Sequence, residues 1–161
     1  MPDLRVLSTA VDDGLTVASF QIPIAIGIAS VTANPTGFFI TVPESPTGAV
    51  WKVKSVVISK EGTAGDRQTT VDVTKQPAGG GSAVSLFTTV FTAVAAANYK
   101  NSVTGDASIT GGTLNAANLS LAAGDRLVLG GTYSAGSSGT ITNLMVTVNI
   151  TAFVGGDTGA I

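Results

Sequence analysis

Ten carboxylates, eight Lys and Arg, no histidine and no cysteine are all the ionic chemistry that this chain of 161 residues carries. The absence of histidine removes the commonest general base and the commonest metal ligand. The absence of cysteine removes thiolate chemistry and any disulfide framework. Only a carboxylate or a lysine mechanism survives. The acid pairs that suggest themselves are Asp12-Asp13 and Asp66 with Asp72. No partner stands at a recognisable catalytic spacing from either. Aspartates in glycine-rich turns ordinarily cap and shape those turns. The expectation is a protein that is not an enzyme, with no catalytic residue, no metal site and no cofactor.

Three further patterns touch on ligands. Gly79-Gly80-Gly81-Ser82 has the glycine content of a phosphate cradle. A P-loop also needs a lysine and a following helix, and here neither follows, so a hairpin loop is expected. Trp51 and Tyr133 could stack on sugars, but Trp51 lies on an alternating strand, which points to the core. Asn118-Leu119-Ser120 and Asn149-Ile150-Thr151 fit the glycosylation pattern. They carry little meaning without a secretion signal, and no apolar leader follows Met1-Pro2-Asp3-Leu4-Arg5.

The elements that hold these residues are short strands. Ile22, Ile24, Ile26 and Ile28 recur at period two, which marks a strand face and not a membrane helix. Within Leu15–Val31, Pro23 removes a backbone donor and belongs at an edge or a bulge. Phe38-Phe39-Ile40-Thr41-Val42 is a strand with aromatics on both faces, so one ring must meet a second layer or a partner chain. Ala49–Ser59 alternates cleanly: Trp51, Val53, Ser55, Val57 and Ser59 on one face, Val50, Lys52, Lys54, Val56 and Ile58 on the other. Thr69–Thr74 turns Val71 and Val73 inward. Val94–Ala97 could form one helical turn. The last strand sets Leu144, Val146, Val148, Ile150, Ala152 and Val154 on one face and Met145, Thr147, Asn149, Thr151 and Phe153 on the other.

Turns recur throughout, and no amphipathic helix of useful length appears. That pattern predicts an all-β fold, a jelly-roll-type antiparallel β-sandwich of about eight strands. The expected organisation is an N-terminal arm over 1–14, a single sandwich domain over 15–154 and a loose tail over 155–161. Charged residues are 11% of the chain, the net charge is −2 and hydrophobic residues are 44%. The pI is about 4.8 and the mean hydropathy +0.44. Scattered cations argue against nucleic acid as a partner. So little charge on a free monomer is unusual, and points to surface covered in an assembly.

The residues of Thr69–Gly131 and the last strand carry a family resemblance. Val71-Asp72-Val73-Thr74-Lys75, Ser85-Leu86-Phe87, Gly124-Asp125-Arg126-Leu127 and Leu144–Ile150 resemble segments of bacteriophage structural β-domains. The similarity covers roughly residues 50–154, and the turn after Lys75 is longer than the family's pattern. The resemblance implies a jelly roll that assembles as a homotrimer. It also implies a capsid cement (decoration) protein on the outer surface of the virion, with the major capsid protein as partner and neither nucleic acid nor membrane. A fibre normally carries a shaft, and none is expected ahead of this domain, which favours cement. The alternative is a head- or tail-fibre, receptor-binding component whose jelly roll binds glycans. Candidate contacts are Leu4, Arg5 and Val6 of the arm, and Phe38 and Phe39. Lys75 and Arg126 are expected to be solvated charges flanking loops.

Overall fold

The computed structural model describes residues 19–45, 49–134, 136 and 138–154. The proposed arm and tail, with Leu4, Arg5 and Val6, lie outside the described residues. Among the described residues the chain forms fourteen strands: β1 (Ser19–Ser30), β2 (Phe38–Thr41), β3 (Ala49–Thr63), β4 (Gln68–Gln76), β5 (Val84–Ser85), β6 (Phe87–Thr89), β7 (Phe91–Val94), β8 (Lys100–Asn101), β9 (Ile109–Thr110), β10 (Thr113–Leu114), β11 (Ser120–Leu121), β12 (Arg126–Gly130), β13 (Tyr133–Ser134) and β14 (Thr140–Val154). Six of these have only two residues, and the longer ones account for the expected number of about eight. The helical turn expected at Val94–Ala97 does not form, because Val94 ends β7. The short helical element is instead a 3-10 turn at Ala116–Asn118, capped by Asn115.

The fold is an antiparallel β-sandwich. One sheet runs β1-β14-β3-β11, with β8 also on β3. The other runs β2-β12-β4-β7-β9, with β5 and β13 also on β4. A small β10-β6 ribbon sits beside them. Between the sheets lie Trp51, Val53, Ile58, Val71, Val73, Leu86, Leu127, Leu129, Leu144, Val146 and Ile150, all essentially inaccessible. Phe87 and Phe91 meet edge to face within this core.

The alternation of β4 and β14 is borne out: Val71 and Val73 are buried, as are Leu144, Val146, Val148, Ile150 and Ala152. That of β3 holds only for its first half. Asn149 pairs with Ser55 and Ile150 with Val53, which leaves Lys54 as an extra residue. This β-bulge shifts the phase by one. Trp51 and Val53 point inward before it; Val56, Ile58 and Lys60 point inward after it. A second bulge lies on β14, where Thr142 pairs with Glu61 and Met145 with Ser59. Asn143 occupies it with φ +48°, and Ile141 and Leu144 are both buried as a result.

Pro23 lies on β1, which pairs only with β14 among the described residues, so it stands on an edge strand as expected. The glycine loop joins β4 to β5 as a hairpin, with Thr74 opposite Ser85 and Lys75 opposite Val84. Gly80 takes φ +83° there and donates its N–H to Pro77 O at 3.1 Å.

Candidate interaction surface

Three of the four family-like segments, far apart in the chain, meet on adjacent strands, while Leu144–Ile150 lies on β14 in the opposite sheet. Leu129, Leu127 and Arg126 pair with Val73, Lys75 and Gln76, and β5 lies on β4 as well. Ser85 Oγ donates to Asp72 Oδ1 at 2.6 Å across that join. Gly124 takes φ +82°, which only glycine adopts readily. The turn then hands its carboxylate inward: Asp125, 6% exposed, accepts from Ala122 N at 2.9 Å and from Ala78 N at 3.1 Å. Its main chain closes on a third loop, with Val42 N donating to Asp125 O at 2.7 Å. Asp125 thus joins three loops at one end of the sandwich. Turn formation was the expected role; the bridge to Ala78 was not legible because it joins residues distant in sequence.

Both aspartates of the Asp66–Asp72 pair also have structural partners. Asp66 accepts from Ser138 N at 2.7 Å and Ser138 Oγ at 3.2 Å. Asp72 is the Ser85 acceptor, so the imagined Asp66–Asp72 acid pair divides between two separate hydrogen-bonding arrangements. Asp12 and Asp13 lie outside the described residues. Among the described residues no group of three or more acidic, histidine or cysteine side chains could hold a metal ion. No helix there is long and apolar enough to cross a membrane.

Phe38 and Phe39 open β2, and both remain accessible, 42% and 54% exposed. β2 pairs only with β12 among the described residues, so its other edge is open. Phe38 stands opposite the buried Leu129, on the core side at the rim, and Phe39 opposite Val128 on the outer face. The Arg126 guanidinium lies 4.8 Å from the Phe39 ring centroid. Such a contact contributes about 0.5–1 kcal/mol at an exposed site and pins the ring. Arg126 is therefore not simply a solvated charge. Nor is Lys75, whose Nζ donates to Ser120 O at 3.0 Å.

Trp51 is withdrawn from any sugar-stacking role. It is 2% exposed, and its Nε1 donates to Pro43 O at 3.1 Å. Both possible glycosylation amides are engaged: Asn118 Nδ2 donates to Ser85 O at 2.6 Å, and Asn149 Nδ2 donates to Ser55 Oγ at 2.9 Å from within β14.

One buried ion was not anticipated. Lys60 is 1% exposed, and its Nζ has no hydrogen-bond partner. The bulge at Lys54 turns it inward. Burial pushes its amine below the ordinary lysine value; Asp106 opposes that shift and Lys100 adds to it. Lys100 is its cross-strand partner and bridges to Asp106 at 3.0 Å. Asp106 is held well below the usual carboxylate range, first by the Ser108 hydroxyl and backbone N–H and then by Lys100.

No family model matches this chain, and no curated protein matches it.

Proposed function

We propose that this chain is a bacteriophage capsid cement protein, a homotrimer that sits on the outer shell and bridges neighbouring capsid subunits. The observation that carries the reading is the open β2 edge with Phe38 and Phe39 both exposed, one on each face of the strand. Exposed aromatics on an unpaired strand are a contact surface or an aggregation hazard. A chain with 11% charge has little else to keep such an edge apart from its neighbours. Three of the four family-like segments converge on β4, β5 and β12, which adds support; the fourth, Leu144–Ile150, lies on β14 in the opposite sheet. The mechanism in this reading is mechanical and involves no turnover. Three equal footprints related by closed symmetry attach together, and simultaneous engagement holds far better than a single contact.

Cryo-EM of purified virions tests it. Density for this sandwich at three-fold positions of the shell is the expected result. Density confined to the tail or to projecting fibres overturns it in favour of the receptor-binding alternative.

A further inference from the structure

Beyond the Phe38–Phe39 edge, the molecule carries a polar groove of about 480 Å³ at the far end of the β1-β14-β3 sheet. Strand register builds it. Lys60 pairs with Lys100 and Ser59 with Asn101, so the next step along β3 sets Glu61 beside Tyr99. On the other side of β3, Glu61 pairs with Thr142, and Thr63 with Thr140. The outer face thus presents one row of Tyr99, Glu61 and Thr142, and a second of Thr63 and Thr140. These residues line the groove together.

Backbone geometry and hydrogen bonds position several of these groups. Asn98 takes φ +65° and turns the chain into Tyr99, a residue 58% exposed. The Asn143 bulge brings its Nδ2 to Glu61 Oε2 at 2.7 Å, which orients the exposed carboxylate. The Thr63 and Thr140 hydroxyls lie 3.1 Å apart. Gly62 permits the close approach at the floor, because a Cβ there would stand 1.9 Å from Thr140 O.

We propose that this groove binds a neutral hexopyranoside. A pyranose offers an apolar C–H face and a rim of hydroxyls that both donate and accept. An exposed aromatic plate, a carboxylate acceptor and paired threonine hydroxyls complement those features. The volume falls in the range of small-ligand sites, roughly 300–1,000 Å³. Glu61 disfavours an anionic sugar. A shallow surface groove supports a dissociation constant on the order of 1 mM.

The test uses the free protein in solution, so its failure leaves the capsid reading standing. The methyl glycosides of glucose, galactose, mannose and N-acetylglucosamine are titrated against ¹⁵N-labelled full-length chain, with N-acetylneuraminic acid as the anionic comparison. Saturable shifts at the Gly62, Tyr99 and Thr140 amides are expected with at least one neutral glycoside, and weaker ones with the acid. Tyr99→Ala should weaken binding about tenfold, and Tyr99→Phe should retain most of it. Tyr99 is largely exposed, so unchanged thermal midpoints should accompany both. Absence of saturable shifts with all four neutral glycosides overturns the proposal. So does tighter binding of the acid, or binding that Tyr99→Ala leaves intact.

Discussion

At the residue scale, Lys60 and Asp125 are opposites. Both are buried, but Asp125 has hydrogen-bond donors from two loops and Lys60 has no partner. An unsatisfied buried polar group costs about 1–3 kcal/mol. Lys60→Met, which keeps the length and discards the charge, should therefore stabilise the fold by about 1–3 kcal/mol in urea denaturation. The pH dependence has a definite sign. With the folded amine below its ordinary value of 10.5, the unfolded chain binds more protons between the two values. The penalty is complete below the folded value. It is relieved as pH rises through that value towards 10.5, so wild-type stability should climb there relative to Lys60→Met. Equal slopes for the two proteins would show that the amine reaches solvent. Asp125→Ala removes two hydrogen bonds to a buried carboxylate and should cost about 3 kcal/mol, read from the same denaturation curves.

At the element scale, the bulges decide which side chains are inside. β4, and β14 from Leu144 onward, could be read from the sequence because alternation without a break leaves one answer. β3 could not, because Lys54 carries no mark of a bulge and the phase reverses beyond it. The same displacement explains why Lys60 escaped notice: strict alternation with Trp51 and Val53 places it on the outer face. Phe38 and Phe39 were legible, since adjacent aromatics on one strand must face opposite ways. The Tyr99 groove was not, since Tyr99, Glu61 and Thr142 meet only through register. Gly62→Ala tests the closeness of β3 and β14 at this end. With φ +153° and a Cβ 1.9 Å from Thr140 O, it should cost about 3 kcal/mol and lower the thermal midpoint.

At the scale of the whole molecule, the proposed assembly makes a separable demand on β2. Phe39→Asp puts a charge on an exposed position, so the isolated sandwich should keep its thermal midpoint within a few degrees. Attachment to the shell should fall steeply, because the change is repeated at every footprint and avidity multiplies the loss. Co-sedimentation of the variant with capsids lacking the wild-type chain measures this directly. The proposed trimer should sediment at about three times the 16.0 kDa of the chain.

The place of β14 also bears on how the protein is born. It lies between β1 and β3, with Phe153 opposite Ser19 on one flank and Val50 on the other. The segment translated last of these three is therefore the middle plank of the sheet. Until the ribosome has passed residue 154, β1 and β3 have no common neighbour, and their apolar faces wait uncovered. The sheet therefore closes only when its middle strand arrives, and its exposure to mispairing is greatest before that point.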